Sequence, residues 1–337
     1  MHLKLLLKRG ALLTAANWPA VAIQFVAGTT FQALLAVPVL GAAVLVAVLL
    51  GADLADLLQG SLRDVLTTLA AVLMSEPAAL VSFAAAFAVV LVGGSVLMFL
   101  VKGGTVDVLV AAHRDAGPIE HEPITLEMFR GASRFTLDRF INGSGRLFRR
   151  YLKVGLVLIV VYGLSAAAYI GFVVYGYRAA TDRFLVLGWT FVAALAAGLL
   201  VAWITLVNLL YLLTQIALAV DGGGVIEAVG SVAGFIRAEF RELARVFAVV
   251  LILVVAATLA SALAWSGVGL IAFVPLVGLA VFPLQLAALL IRGLVFEYLG
   301  LTALTTYAGL YVDHAARRSE ARERSRMATR LERPAVG

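Results

Sequence analysis

The sequence predicts an all-α polytopic transmembrane helix bundle. Three observations carry that prediction. The 337 residues have a mean hydropathy of +1.03, only 14% of them are charged, and the apolar residues gather into long stretches with short polar gaps. A soluble chain carries about a quarter charged residues, so a membrane solvent is indicated before any window is read.

A helical crossing takes about 20 mostly apolar residues. Six stretches meet that length, at about 18–50, 77–101, 154–175, 184–220, 246–265 and 284–312. The first contains Pro38 and is too long for one straight crossing, so it tilts or kinks. The apolar residues from Val268 to Pro283 are expected as a lid or re-entrant piece on the far side.

Flanking charge sets the orientation, because short cytoplasmic loops are enriched in Lys and Arg. Lys4, Lys8 and Arg9 precede the first stretch. Arg146, Arg149 and Arg150 precede the third, and Arg317, Arg318, Arg322, Arg324, Arg326, Arg330 and Arg333 follow the sixth. The 51–76 segment instead carries Asp53, Asp56, Asp64 and Glu76 against Arg63. Both termini are therefore expected in the cytoplasm, which requires an even number of spans. A seven-span alternative would export the arginine-rich tail.

Residues 1–313 are read as a single transmembrane domain and 314–337 as a basic, partly disordered cytoplasmic tail. Alanine, valine and leucine dominate and arginine far outnumbers lysine, as in the products of GC-rich bacterial genomes, which suggests a bacterial inner membrane. Cysteine is absent, which excludes disulfides and thiolate chemistry. No cleavable signal peptide is expected, since Lys8 and Arg9 interrupt the first apolar run.

Outside the spans, residues 52–75 place leucines at helical spacing and read as an amphipathic helix on the outer surface. HRDAGPIEHEP, 113–123, reads as a solvated loop, and NGSG, 142–145, as a helix break.

One pattern occurs twice. ITLEMFRGASRFTLDRF, 124–140, aligns without a gap to GVIEAVGSVAGFIRAEF, 224–240. Leu126 matches Ile226, Glu127 matches Glu227, Phe135 matches Phe235 and Phe140 matches Phe240. Each copy has an apolar stripe at helical spacing with arginines beside it. They read as cytoplasmic amphipathic elbow helices, about 124–141 and 224–243, each lying in the interface before a span. LKLLLKRGALLTAAN near the N-terminus has a similar character and reads either as a more diverged third copy or as an unrelated cytoplasmic amphipathic helix. The chain is then an internal pseudo-repeat of elbow plus two-span hairpin, in parallel orientation.

The stretch DGGGVIEAVGSVAGF, with the ending LTALTTYAGLYVD, resembles a broad group of six-span prokaryotic membrane proteins. That group is similar to the membrane domain fused to some glycerophosphodiester phosphodiesterases. The resemblance implies a fold and no activity. The catalytic barrel needs about 200 soluble residues or more, and no segment of this chain offers them.

No catalytic residue, metal or cofactor is expected. The spacing of His113, Asp115, Glu120, His121 and Glu122 fits no metal signature. Gly222, Gly223 and Gly224 lack the residues of a phosphate loop. The tail mixes signs and lacks aromatics, which argues against nucleic acid.

Polar residues inside spans are more informative, because charge there is costly and tends to be functional. Glu297 and Arg292 are the only charges expected within them. With Asn208 and Gln285 they form a candidate intramembrane polar site. Arg130, Arg134, Arg237 and Arg241 flank the elbow stripes and are candidate contacts for anionic lipid. The leading expectation is a non-enzymatic membrane-organising protein that binds lipids or partners. A transporter or channel for a small solute or ion is the alternative, and a membrane-embedded lipid enzyme the third. Protein partners and homo-oligomerisation are left open by the sequence.

Overall fold

The computed structural model of the chain describes residues 3–50, 77–121, 123–181, 186–272 and 277–331. Its elements are α1 (Leu3–Ala16), α2 (Trp18–Leu50), α3 (Pro77–Asp115), α4 (Leu126–Ala132), α5 (Leu137–Thr181), α6 (Val186–Asp221), α7 (Val225–Ala272) and α8 (Val277–Leu331). No strand occurs among the described residues. Among the described residues six stretches are long and apolar enough to cross a membrane: Trp18–Gly41, Leu80–Asp115, Leu126–Thr181, Leu187–Asp221, Val225–Ala264 and Pro283–Ser325. The chain is a multi-pass, all-α integral membrane protein. The surface helix expected over 52–75 lies outside the described residues.

The chain forms two compact units. Ile23–Val101 is one; Met1–Ala22 with Lys102–Gly337 is the other. In the first, Phe31 of α2 lies against Gly94 of α3. In the second, the buried side chains concentrate at the end of the bundle that carries α1. They come from residues 6–21, 106–154, 211–246 and 301–311, with Leu13, Leu109, Leu213, Phe235 and Tyr311 among the most enclosed. Beyond that end the helices present leucine, isoleucine, valine and phenylalanine outward, including Leu156, Val160, Phe191, Leu199 and Ile252. In water such a surface would aggregate; in a bilayer it is the face that meets acyl chains.

Asn17 organises the α1 end. It separates α1 from α2, and its backbone carbonyl accepts the first hydrogen bond of α2, from Ala20 at 2.9 Å. Its fully buried amide is satisfied on both sides. Nδ2 donates to the Leu13 carbonyl at 2.9 Å and the Ala132 carbonyl at 3.4 Å, while Oδ1 accepts from the Arg134 N–H at 2.8 Å.

Those bonds explain a difference from expectation. The elbow helix expected as one piece over 124–141 is divided. α4 ends at Ala132, residues 133–136 are non-helical, and α5 begins at Leu137. Asn17 takes the backbone groups that a continuous helix would have paired internally. Thr125 caps α4 by accepting from the Met128 N–H at 3.2 Å, and Thr136 accepts from the Arg139 N–H at 3.2 Å at the start of α5.

NGSG does not break the chain; it lies inside α5. Gly143 and Ser144 are buried there, with Gly143 against Asp107 of α3. Small residues serve close helix contact at this point, and packing overrides their weak helix propensity. The expected lid at 268–283 is also different: α7 runs to Ala272 and α8 starts at Val277 with Pro283 inside it. Residues 273–276 are outside the described set. The tail is helical as far as Leu331.

The second elbow, expected over 224–243, is the first part of α7, which kinks at Glu239 (φ −118, ψ 25) before its apolar stretch. Arg317 of α8 holds the Glu239 carboxylate at 2.8 Å. At the start of α7, Gly222 ends α6 with a φ of 67°, which a Cβ would resist. Glu227 reaches back to accept the Gly224 N–H at 3.1 Å.

The 113–120 segment is solvated only in part: Arg114, Asp115, Gly117 and Pro118 are exposed, while His113, Ile119 and Glu120 are buried. His113 is 9% exposed and Glu120 5%. Arg9 of α1 explains it. Its guanidinium pairs with Glu120 at 3.0 Å and donates to the carbonyls of His113, Ala116 and Gly117. Lys8 Nζ donates to the Glu120 carbonyl at 2.6 Å, and His113 lies 3.7 Å from Asp313 of α8. Ile119 from this loop joins Leu12, Leu13, Ala112, Met128 and Ala132 in one apolar cluster.

Candidate functional site

A polar centre lies among α3, α5, α6 and α8. α3 does not stop at Val101; it continues to Asp115 and takes Lys102 inward. Lys102 Nζ sits 5.4 Å from the centre of the Tyr211 ring, a cation–π arrangement. Glu297 of α8 is its opposite charge. Tyr211 and Gln215 are one turn apart on α6 and so share a face. Tyr151 of α5 donates its hydroxyl to the Gln215 backbone carbonyl at 2.8 Å. The Tyr211 hydroxyl and both atoms of the buried Gln215 side-chain amide have no protein hydrogen-bond partner among the described residues. A lysine and a glutamate in a span are each costly alone, and each lowers the cost of the other. Unsatisfied amide and hydroxyl groups beside them can hold water or a small polar ligand.

The four residues singled out from the sequence do not converge. Glu297 lies near Lys102, which belongs to the Leu80–Asp115 apolar stretch, so Arg292 and Glu297 are not the only charges in such stretches. Arg292 lies over the Phe296 ring at 5.7 Å and, with Gln285 and Ser261, borders a separate apolar pocket of about 380 Å³. Asn208 accepts a hydrogen bond from Tyr162 across α5 and α6. The signal for Lys102 was present: the residues after it, GGTVDVLVAA, keep the apolar content of the helix.

The elbow arginines also differ from one another. Arg134 is held by Asp115 at 3.3 Å and by nearby carbonyls. Arg130, Arg237 and Arg241 are exposed and make no ion pair among the described residues. Leu126 and Ile226, matched between the copies, stand 77% and 89% exposed in the first turns of α4 and α7. Glu127 and Glu227 occupy the same turns, where a carboxylate complements the positive helix end. The match does not extend to the end of the repeat, for Phe140 is buried and Phe240 is exposed.

A cleft of about 710 Å³ opens between the start of α7 and the tail of α8. Asp221, Glu227 and Glu323 give it acidic walls, and Tyr311 donates to Asp221 at 2.6 Å. Among the described residues no group of three or more His, Asp or Glu could hold a metal ion. No family model, curated protein or solved structure matches the chain.

Proposed function

We propose that this is a multi-pass protein of a bacterial inner membrane, with both termini cytoplasmic, that organises the bilayer by binding anionic lipid through its elbow helices. One observation carries the reading: Leu126 and Ile226 leave the first turns of α4 and α7 almost fully exposed, with Arg130, Arg237 and Arg241 exposed along the same elements. An apolar side chain on a surface helix is stable in the acyl boundary, and a neighbouring guanidinium is stable among phosphates. Arg134 drops out of the lipid-binding set because Asp115 already neutralises it. The test is native mass spectrometry of protein extracted from membranes containing phosphatidylglycerol. Replacing Arg130, Arg237 and Arg241 together with Gln is expected to reduce the retained phosphatidylglycerol. Retention equal to wild type would overturn the reading.

A transporter is the second reading, and the Lys102–Glu297 pair inside the spans favours it. The absence of native cysteine makes an introduced thiol unique. Modification of Glu297→Cys by a charged, membrane-impermeant thiol reagent supports a water-connected path. Full protection supports a closed core and removes this reading.

A further inference from the structure

A second cleft, of about 630 Å³, runs between α3 and α5 near the α1 end of the bundle. Asp107, Arg114 and Asp115 line it from α3; Arg139, Asn142 and Arg146 line it from α5. The spacings of seven and eight on α3, and of three and seven on α5, put each set on one helix face.

The charges do not cancel within this cleft. Asp107 is contacted by Arg146, and Asp115 is paired with Arg134 at 3.3 Å. Both carboxylates therefore have their own guanidinium. Arg114 uses one donor on the Val220 carbonyl at 3.3 Å and has no acidic partner among the described residues. The Arg139 side chain has none either. Two guanidiniums, from two different helices, are left surplus around one cavity beside the amide of Asn142. Forked N–H donors are suited to the oxygens of a phosphate. The acidic cleft between α7 and α8 lacks this excess and would repel the same group.

Leu137 and Ile141, 61% and 57% exposed, lie on the opposite side of α5 from the residues that line the cleft. In a multi-pass membrane protein the bilayer beside the cleft is a ready source of a phosphate-bearing anion. The geometry points to the α3–α5 cleft as the headgroup site for an anionic phospholipid, its phosphate held by Arg114 and Arg139. The assignment rests on the anionic-lipid reading above for the source of the phosphate, and it uses none of Arg130, Arg237 and Arg241.

Calorimetric titration of the full chain in detergent micelles with dioctanoyl phosphatidic acid tests it, beside inorganic phosphate and dioctanoyl phosphatidylcholine. Arg114→Gln and Arg139→Gln are each expected to weaken the phosphatidic acid by about tenfold, as for loss of a charge-assisted hydrogen bond. Arg139 is partly exposed and its side chain makes no structural ion pair, so that variant is expected to unfold at the wild-type temperature. Unchanged affinity in both variants would overturn the cleft assignment. Inorganic phosphate that binds as tightly and displaces the lipid would assign the cleft to a free phosphate and overturn the lipid. Phosphatidylglycerol retention in the elbow variant is a separate readout. Its failure removes the elbow reading alone, and failure of the titration removes the cleft alone.

Discussion

Arg9 and Glu120 form an ion pair at 3.0 Å across 111 residues of sequence, with the glutamate side chain only 5% exposed. The same guanidinium caps three carbonyls of the 113–117 turn. One side chain thereby fastens the connection after α3 to the surface of α1. Arg9→Met would leave a buried carboxylate without its partner, a change that costs about 3–5 kcal/mol. The expected result is a lower midpoint of unfolding in detergent. In Arg9→Met/Glu120→Met the loss should be smaller than the sum of the single losses. Strictly additive losses would show that the two charges are not coupled.

At Gly10 α1 packs tightly against α8. A Cβ there would fall 2.1 Å from Thr306 Oγ1 and 3.1 Å from the Thr302 carbonyl oxygen. Backbone cannot yield as a flexible side chain does, so Gly10→Val should destabilise by about 1–3 kcal/mol through overpacking. Gly145, helical and with open space around it, is the contrast. Gly145→Ala should stabilise by about 0.5–1 kcal/mol through the helix-interior preference for alanine. Thermal unfolding of the two variants reads both signs in one measurement. A Gly10→Val protein as stable as wild type would mean the helices are further apart than described.

Lys102 and Glu297 should behave as a pair. No ion pair within 4 Å joins them, so removing one charge takes away a longer-range attraction, and Lys102→Met is expected to lower the unfolding midpoint. Lys102→Met/Glu297→Leu replaces both charges with apolar groups and should recover most of that loss. Reversible unfolding in mixed detergent measures the difference. A double variant no better than Lys102→Met would separate the two residues.

The topology can be mapped with single thiols. Lys4, Arg178 and Met327 are all exposed. Six crossings put the ends of the chain on one side, so Lys4→Cys and Met327→Cys should react with an impermeant maleimide from the same face of the membrane. Arg178→Cys, after the third crossing, should react from the opposite face. Labelling of Lys4→Cys and Met327→Cys from different faces would require an odd number of crossings.

The spans were legible because apolar length is a local signal, needing only a window of sequence. The starts of the elbow helices were legible for the same reason, since the Leu126–Glu127 and Ile226–Glu227 pairs each mark a first turn. The division after Ala132 was not, because it depends on Asn17, more than a hundred residues away. Glu120 looked like a loop acid because Arg9 is 111 residues distant. Lys102 follows the 77–101 apolar run, where a charge ordinarily marks an interface; Glu297 on α8 offers it an opposite charge within the bundle. The α3–α5 cleft was invisible for a further reason. Its excess charge appears only after Asp107 and Asp115 have been assigned to other arginines, and that assignment is made by three-dimensional packing.

The pairing of α1 with α8 has a consequence for how the protein is made. Thr14 and Thr305 meet at 2.9 Å across 291 residues, and Tyr298 reaches the Ala11 carbonyl at 3.0 Å across 287. At about 5–20 residues per second, roughly 15–60 seconds separate the synthesis of these partners. During that interval Leu13 and Thr14 are without their final cover on the ribosome-bound chain. The earliest of the described helices is thus among the last to be enclosed. A nascent chain arrested before Leu284 would present α1 to the translocation machinery as an unclaimed helical segment, open to membrane-surface capture or to proteolysis.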